Sequence, residues 1–329
     1  MSRVTRELSC LLVKSILVFS FTLTSLTLPA FANPSASDHE AKTRYPIVLV
    51  HGMLGFRKMF GVIEYFSGVK KKLESQGATV YVTHASAINS NEVRGNQIIQ
   101  QLEEIRKQTG QADLKFNLIG HSQGGVDIRY VAGIRPDLVA SLTSIGSPHK
   151  GVNVDSWRLL NSQRIQNAPN FITGPINLAL RLNYLLLTGT WKPMDIKGAL
   201  LLLDMEQVQA FNQRFPGGID DQYCETGAPV TETEFGEIKN YSWTGSEAFT
   251  NGFDVADSGL WLISKGIYGD EKSDGLVSVC SAQFGMAIET GVKMNHLDEM
   301  NIFITAWGEQ KKPLQVYEEH ASRLRFAGL

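Results

Sequence analysis

Cysteine, net charge and internal repetition are all scarce in this chain. Only 3 of its 329 residues are cysteine, and 31 basic and 33 acidic side chains leave a formal net charge of −2. A surface that binds nucleic acid favours a clear excess of positive charge, so we expect no nucleic-acid partner. No repeat or long low-complexity tract is present, which excludes repeat architectures. With 43% hydrophobic and 19% charged residues, the composition is that of a globular protein that can bury a large core in one α/β domain.

The first 32 residues differ from the rest and predict a secretory signal peptide. Arg3 and Arg6 precede an apolar run at residues 15–28, which ends in Pro29-Ala30-Phe31-Ala32. A positive start, an apolar run and an A-x-A sequence are the three parts of a cleavable signal. A membrane anchor is the alternative, but the run is short and is interrupted by serine and threonine. Since no lipobox cysteine follows, we expect a freely soluble protein, exported through the periplasm and secreted, with residues 33–329 as one mature domain.

Export changes the meaning of the few cysteines. Cys10 lies in the predicted signal peptide and leaves with it, so Cys224 and Cys280 remain as an even pair. Secreted proteins keep such pairs in an oxidising compartment. A disulfide between them is therefore favoured over two free buried thiols.

Strand-like and helix-like segments alternate along the first half of the mature chain. The predicted strands cover residues 45–50, 78–83, 114–119, 138–145 and, later, 239–244; the predicted helices cover 60–76, 92–109, 126–134 and, at the end, 313–324. This alternation predicts an α/β fold with a mainly parallel central sheet and helices on both faces. Ligands of such sheets lie at the carboxyl ends of the strands.

One of the predicted strands runs into a sharp turn built around a serine. Gly120-His121-Ser122-Gln123-Gly124 is the G-x-S-x-G pattern of a nucleophile elbow, in which the serine hydroxyl stands exposed above the sheet. A Cβ at either glycine would collide with a neighbouring strand or helix. The N-terminus of the following helix suits developing negative charge. The pattern alone also fits an ordinary strand-to-helix connection.

A second glycine turn ends the first predicted strand. Residues 45–50 run into His51-Gly52-Met53-Leu54-Gly55, which can place a backbone N–H beside the serine as half of an oxyanion hole. A plain glycine turn after an edge strand is the alternative.

Apolar helices interrupt the alternation over residues 151–205. The segment from Leu178 to Leu187 is especially apolar. It can be a core helix, but above the strand ends it fits a lid that covers an acyl pocket and opens at an interface. We expect a helical lid insertion here.

A serine nucleophile needs a base to take its proton and a carboxylate to orient that base. In this architecture the chain order is serine, acid, histidine, and Ser122, Asp274 and His296 follow it. Taken alone, His296 could equally be a surface histidine. The remaining histidines fit less well, because they lie before the acid, beside the elbow, in the terminal helix or in the N-terminal arm: His39, His51, His84, His121, His149 and His320.

Several segments together resemble the true bacterial lipases of the Pseudomonas and Burkholderia type. The resemblance covers essentially all of the mature chain and is carried by Val48-Leu-Val-His-Gly-Met53, Gly120-His-Ser-Gln-Gly-Gly125, Ser273-Asp-Gly-Leu-Val277, Met294-Asn-His-Leu-Asp-Glu299 and Tyr317-Glu-Glu-His-Ala-Ser-Arg-Leu324. It implies an α/β-hydrolase fold and hydrolysis of triacylglycerol.

The resemblance also implies roles for individual residues. Ser122 would be the nucleophile, His296 the general base and then acid, and Asp274 its orienting carboxylate. The backbone N–H groups of Met53 and Gln123 would form the oxyanion hole. The family's single disulfide falls at Cys224 and Cys280, in agreement with the cysteine count.

Two further expectations rest on the resemblance alone. The family holds a structural Ca²⁺ that braces the histidine loop, and its ligands correspond to the carboxylates of Asp254 and Asp298 and the carbonyls of Ile302 and Ala306. Two acids with carbonyls make a reasonable site for a hard cation, although as residues they could be solvated loop acids. Members with the disulfide commonly need a membrane-anchored foldase in the periplasm.

Three functions remain to be weighed. The first is a secreted, monomeric triacylglycerol lipase acting at a lipid–water interface, which the apolar Leu178–Leu187 segment favours. The second is a carboxylesterase or phospholipase acting on other acyl esters. The third is a non-catalytic α/β-hydrolase relative that binds a lipid or a partner; the presence of all three triad candidates argues against it.

Overall fold

Parallel strands and amphipathic helices build the part of the chain that carries the site. The computed structural model describes residues 40–152, 167, 169–252, 254–302 and 311–329. The described strands are β1 (Ile47–Val50), β2 (Lys58–Met59), β3 (Ile63–Glu64), β4 (Val80–Val82), β5 (Phe116–His121), β6 (Val139–Ile145), β7 (Val230–Thr231), β8 (Ile238–Gly245) and β9 (Met286–Val292). The described α-helices are α1 (Val69–Ser75), α2 (Asn91–Thr109), α3 (Gln123–Ile134), α4 (Asn170–Thr188), α5 (Ile196–Leu200), α6 (Met205–Arg214), α7 (Val255–Tyr268) and α8 (Pro313–Phe326).

Seven of these strands form one sheet, which confirms the predicted mainly parallel architecture. Their order is β4-β1-β5-β6-β8-β7, and β9 also pairs with β8. Strand β7 pairs with the first two residues of β8, and β9 pairs with β8 from Tyr241 onwards. Only the pairing of β7 with β8 is antiparallel among the described pairs of this sheet. Val50 lies opposite Gly120, and His121 lies opposite Ile145. The turns that follow β1, β5 and β6 therefore meet at one edge of the sheet.

Helices cover both faces of the sheet, because the central strands are apolar on both sides. In β1, Ile47 and Leu49 face a buried cluster that includes side chains of α1 and α8. Val48 and Val50 face the opposite cluster, which includes side chains of α2, α3 and α6. A strand buried on both faces reads as a continuous apolar run, which is why β1 was predictable.

The predicted helix over residues 60–76 is wrong in its first half. Phe60 and Gly61 have φ angles of 51° and 75°, in the left-handed region that a right-handed helix cannot use. The chain reverses there, and β2 and β3 pair as an antiparallel hairpin. The helix begins only at Val69.

The disulfide prediction is confirmed. Cys224 and Cys280 are bonded, with their Cα atoms 4.1 Å apart and a sequence separation of 56. The bond ties the loop between α6 and β7 to the loop before β9.

Two expectations fall wholly or partly outside the described residues. They are the signal peptide at residues 1–32 and, within the expected insertion at 151–205, residues 153–166 and 168. Over the rest of that insertion the chain is mainly helical, in α4 and α5. In the part of the chain that is described, no helix has the length and apolar character needed to span a membrane.

Candidate active site

Ser122 stands on the sharp turn between β5 and α3. Its φ and ψ angles are 56° and −128°, a conformation that L-residues rarely adopt and that is common at functional sites. Its N–H donates to the Ile145 carbonyl at 2.8 Å, which ties the turn to the end of β6. Ser122 is partly exposed although the residues on either side of it are buried. The turn therefore presents the serine outward while its neighbours hold it.

Two glycines make this turn possible. A Cβ at Gly120 would lie 2.3 Å from the carbonyl oxygen of Gly124, and a Cβ at Gly124 would lie 2.4 Å from the carbonyl oxygen of Val50. Such distances are impossible without movement of the backbone. The steric reason predicted for both glycines is confirmed.

The turn after β1 packs directly against the serine. A Cβ at Gly52 would lie 2.6 Å from the Cβ of Ser122, so Met53 follows a residue in contact with the elbow. The N–H of Gln123 is the first of α3 and has no acceptor within its own helix. Neither this N–H nor that of Met53 donates to another described residue. Gln123 thus adjoins Ser122 in the chain, and Met53 follows the glycine that packs against Ser122; the N–H groups of both bond to no other described residue.

Buried side chains hold Gly52 on both sides. Its N–H donates to the Tyr65 hydroxyl at 3.0 Å, and its carbonyl lies 2.9 Å from His51 Nδ1. Because the N–H of Ala85 donates to His51 Nε2 at 3.1 Å, the ring proton of a neutral His51 is on Nδ1 and donates to Gly52. Burial, followed by the nearby Arg94, lowers the pKa of His51 well below its usual value and keeps the ring neutral.

Arg94 ties this turn to two other parts of the chain. It is fully buried, and its Nη2 donates to the His51 carbonyl at 2.6 Å. Its Nε donates to the Asp127 carboxylate on α3 at 2.8 Å, and its Nη1 donates to the Ser86 carbonyl. One guanidinium on α2 therefore joins the glycine turn, the helix α3 that follows Ser122 and the segment after β4.

Asp274 and His296 form a buried pair. His296 Nδ1 lies 2.7 Å from Asp274 Oδ2, and the His296 N–H donates to the Asp274 carbonyl at 2.8 Å. The other carboxylate oxygen accepts from the N–H groups of Leu276 and Val277 at 2.8 and 2.7 Å. With its Nδ1 proton directed to the carboxylate, a neutral His296 has a free Nε2 that can act as a base.

His296 also lies beside the elbow. Its ring and that of His121, the residue before Ser122, have centroids 4.5 Å apart. The structure thus brings Asp274, His296 and the elbow together at the edge of the sheet. His121 itself is fully buried, and burial followed by His296 lowers its pKa well below the usual value.

Tyr65 and Glu299 complete a hydrogen-bonded chain that the sequence did not reveal. The Tyr65 hydroxyl, which accepts from the Gly52 N–H, also lies 2.7 Å from His121 Nδ1. On the other side of the ring, His121 Nε2 lies 3.1 Å from Glu299 Oε2. Among the described residues, His121, His296 and Glu299 are a group whose ligand atoms lie within 4.8 Å of one another. Because His121 Nε2 and His296 Nδ1 are used in hydrogen bonds, we read this group as a polar network.

The protonation of Glu299 is shaped by burial and by the neighbouring Asp274–His296 pair. Burial, followed by the charge of Asp274, raises the pKa of Glu299 well above its usual value. Its Oε1 accepts from the Gly245 N–H at 2.7 Å, and its Oε2 lies 3.8 Å from His296 Nδ1. A second carboxyl group thus lies beside the imidazole that Asp274 orients.

Comparison with known proteins decides the family. A model described as the alpha/beta hydrolase fold matches residues 45–191. A triacylglycerol lipase of Vibrio cholerae is 40% identical over 323 residues, covering 96% of this chain and 99% of that protein. A triacylglycerol lipase of Burkholderia plantarii is 34% identical and covers 92% of each chain. The chain belongs to the triacylglycerol lipase family.

Solved structures support the fold of this lipase family member. A Bacillus licheniformis lipase in its mature form aligns with a TM-score of 0.50 at 17% identity, over 82% of this chain and 92% of that one. EstA of Clostridium botulinum aligns with a TM-score of 0.52 at 17% identity, over 86% of this chain and 88% of that one. At these identities the likeness concerns the α/β-hydrolase fold alone.

The two acids expected to hold calcium are a partly buried Asp254 and a buried Asp298, with Asp257 nearby. Asp254 caps α7, and its Oδ1 accepts from the Ala256 N–H at 2.8 Å. Asp298 is 2% exposed, and burial together with Asp257 and Asp254 raises its pKa. None of these three carboxylates pairs with a basic side chain among the described residues. Such a donor set fits a hard cation.

The two expected carbonyl ligands cannot both be located. Ile302 is buried and follows Asn301, whose φ is 56°. Ala306 lies outside the described residues.

The expected lid segment contains a helix with two apolar sides. Tyr184 of α4 is buried, and its hydroxyl donates to the Gly55 carbonyl at 3.0 Å. Leu178, Leu182 and Leu186, spaced by four residues, are exposed. The helix is thus attached to the glycine turn on one side and presents leucines to solvent on the other.

Sequence reasoning missed three residues that contact the site: Tyr65, Arg94 and Glu299. Glu299 belongs to the segment that carries the resemblance and lies three residues after His296, which was the available signal. No sequence signal marked Tyr65 or Arg94, because the residues that they contact are distant from them in sequence.

Proposed function

We propose that this chain is a secreted serine lipase that hydrolyses triacylglycerol through an acyl-enzyme on Ser122. The observation that carries the proposal is the buried Asp274–His296 pair beside the elbow. The relatives named triacylglycerol lipase, matched over nearly the whole chain, support the substrate.

In the proposed reaction His296 Nε2 removes the Ser122 proton as the hydroxyl attacks the ester carbonyl. Asp274 stabilises the imidazolium that forms. The N–H groups of Met53 and Gln123 bind the oxyanion, and positioned donors of this kind are worth about 3–4 kcal/mol each in barrier height. His296 then protonates the leaving glycerol oxygen, and a water molecule releases the fatty acid by the same steps in reverse order.

A water-insoluble substrate is favoured over a soluble ester by the leucines of α4. An enzyme for dissolved esters gains nothing from Leu178, Leu182 and Leu186 at its surface, whereas one that works at an interface can insert them. We therefore propose α4 as the lid or as part of it, and a carboxylesterase or phospholipase as the second candidate function.

The deciding experiment compares the mature protein with its Ser122→Ala variant on emulsified long-chain triacylglycerol and on a soluble short-chain ester. We expect strong hydrolysis of the emulsion by the wild type and none by the variant. Hydrolysis of the soluble ester alone would make the protein an esterase. A folded wild type that hydrolyses neither substrate would support the non-catalytic alternative.

Three further parts of the proposal go beyond the site: the first two rest on the resemblance, and the third rests on the sequence of residues 1–32. The first is a structural calcium ion held by Asp254, Asp298, Ile302 and Ala306, which would brace the loop that carries His296. The second is a membrane-anchored foldase as a folding partner in the periplasm. The third is secretion after cleavage of residues 1–32. The acids Asp254 and Asp298, which pair with no basic side chain in the described part of the chain, support the first, and the disulfide suits an oxidising compartment.

A further inference from the structure

The tip of the β2–β3 hairpin presents two large apolar side chains to solvent. Phe60 is 66% exposed and Val62 is 76% exposed. Phe60 also has a φ of 51°, which is unusual for a bulky residue. Its N–H donates to the Leu187 carbonyl of α4 at 2.8 Å, so the tip lies beside the C-terminal end of that helix.

The exposed leucines of α4 are therefore neighbours of the hairpin tip. Leu178, Leu182 and Leu186 follow one another at four-residue spacing, and Leu186, next to the anchoring Leu187, is 82% exposed. Residues at this spacing lie on one side of a helix. We call Phe60, Val62 and these three leucines the hairpin–α4 face. A continuous exposed apolar surface of this kind marks an interaction site.

Basic side chains without acidic partners border this face. Arg57 precedes the hairpin and Lys192 follows α4, and neither pairs with an acid among the described residues. Both act on His84: burial, then Lys192, then Arg57 lower its pKa to about 4. His84 Nε2 lies 2.9 Å from the hydroxyl of the buried Tyr184 on α4, so both cations lie at the edge of the face, behind the exposed leucines.

The remaining charges near the face do not cancel these cations. Lys58 of the hairpin is already paired with Glu64 at 3.3 Å. Arg181 of α4 lies over the ring of the exposed Trp191, with 6.0 Å from its Cζ to the ring centroid. Asp195, which caps α5 three residues after Lys192, is the acid to set against them. Arg57, Arg181 and Lys192 still leave the surroundings of the hairpin–α4 face net positive, whereas the whole chain has a formal net charge of −2.

We propose that the hairpin–α4 face docks on lipid surfaces that carry anionic phospholipid and prefers them to zwitterionic ones. The apolar side chains enter the acyl boundary, while Arg57 and Lys192 remain at the level of the phosphates. Each basic residue near an anionic membrane surface strengthens binding by roughly fivefold at physiological salt. The inference rests on the proposed function, since it assigns the lipase the kind of interface on which its site works.

Binding without turnover separates docking from catalysis. The Ser122→Ala protein is mixed with sedimentable vesicles of phosphatidylcholine, or of phosphatidylcholine with phosphatidylglycerol, and the bound fraction is measured at low and high salt. We expect tighter binding to the anionic vesicles, with the difference lost at high salt. Adding Arg57→Gln and Lys192→Gln should weaken binding to the anionic vesicles by roughly 25-fold and leave binding to phosphatidylcholine nearly unchanged.

The matched control removes two other exposed lysines in the same Ser122→Ala background. Lys42 precedes β1 and Lys107 lies in the last turn of α2, before β5, so both lie toward the amino ends of the strands, away from the site. Lys42→Gln with Lys107→Gln changes the net charge equally and should leave the preference intact. Circular dichroism and thermal melting of both double variants establish that they are folded.

Three results would overturn the proposal. The first is equal binding of the Ser122→Ala protein to both kinds of vesicle. The second is an equal loss of binding in the control pair, which would make the effect one of overall charge. The third is a dimer in lipid-free solution, detected by light scattering and abolished by Leu186→Gln, which would make a second copy the occupant of the face. If the wild type does not hydrolyse triacylglycerol but Ser122→Ala still prefers anionic vesicles, the proposed function fails and docking remains.

Discussion

The chemistry of the candidate site depends on Ser122, whose backbone is held in an energetically unfavourable conformation. Ser122 adopts a rare backbone conformation of the kind that costs about 1–3 kcal/mol and persists only where surrounding contacts determine it. Those contacts are the bond to Ile145 and the close packing at Gly120 and Gly124. The partial exposure of Ser122 is thus maintained by contacts at the end of the sheet.

Sequence reasoning at this scale succeeds where a role follows from local pattern or chain order. The serine is marked by its glycines, and Asp274 and His296 were selected by their order along the chain. Contacts between distant residues leave no such mark: His121 and Glu299 are 178 positions apart, and Gly52 and Tyr65 are 13 apart without a shared motif. These contacts emerge only when the sheet is assembled.

Replacing Tyr65 with phenylalanine tests the hydrogen-bonded chain beneath the glycine turn. The Gly52 N–H and His121 Nδ1 would lose their partner, and a buried unsatisfied group costs about 1–3 kcal/mol. We expect the free energy of unfolding to fall by that amount. We also expect kcat for a soluble ester to fall roughly tenfold, because a displacement of the Met53 N–H that raises the activation barrier by about 1.4 kcal/mol has that effect. Urea unfolding and steady-state kinetics measure the two quantities.

Tyr130→Phe is the control for Tyr65→Phe. It also removes a tyrosine hydroxyl from a hydrogen bond, here with Asn96 at 3.1 Å, but away from the glycine turn. It should leave kcat unchanged. If Tyr65→Phe had the kinetics of the control, Tyr65 would have no positioning role.

At the scale of helices and strands, apolar patterning predicts the centre of the fold better than its periphery. The central strands β1, β5 and β6 are buried along their whole length, so their apolar runs are unambiguous. The β2–β3 hairpin was missed because its reversal depends on the left-handed φ of Phe60, a residue with no turn preference. Helix α7 was missed because it begins in a polar stretch, where Asp254 caps it.

The histidine loop and the start of α7 are the elements that calcium would join. Removing the ion with EDTA should leave the carboxylates of Asp254 and Asp298 near each other without a counter-charge. With Ca²⁺ at 100 times its dissociation constant, the ion contributes about 2.7 kcal/mol to the free energy of unfolding. We therefore expect a lower melting temperature in EDTA that excess Ca²⁺ restores, measured by calorimetry.

Two variants make the calcium test specific. Asp298→Asn removes a charged ligand and should melt at the same temperature with and without EDTA. Asp113→Asn changes an exposed acid outside this region and should respond as the wild type does. Identical melting of the wild type in EDTA and in Ca²⁺ would contradict the proposed ion.

For the whole molecule, the most general feature is the number of histidines buried without charge. His51, His121, His149 and His320 are at most 1% exposed, and burial is the main cause that lowers the pKa of each. In the unfolded chain each binds a proton near pH 6.5. Between that pH and the lowered pKa values the unfolded state holds more protons than the folded state, so stability must fall as pH falls.

His320 allows this dependence to be measured at one residue. Its Nδ1 accepts from Arg323 at 3.3 Å, and its Nε2 therefore donates to the Thr143 hydroxyl at 2.7 Å, which joins α8 to β6. Burial, followed by Arg323, lowers its pKa from 6.5 to about 3. Its contribution is fully present above pH 6.5 and is lost progressively as the pH falls towards 3.

The variant for this test is His320→Gln, which keeps a donor and an acceptor but does not titrate. At pH 7 it should be less stable than the wild type, because the amide fits the His320 site less well. Between pH 7 and pH 5 the wild type should lose about 2 kcal/mol more than the variant, the effect of one proton taken up by the unfolded chain over about 1.5 pH units. Urea unfolding at the two pH values measures the difference, and parallel losses in the two proteins would show that His320 does not couple protonation to folding.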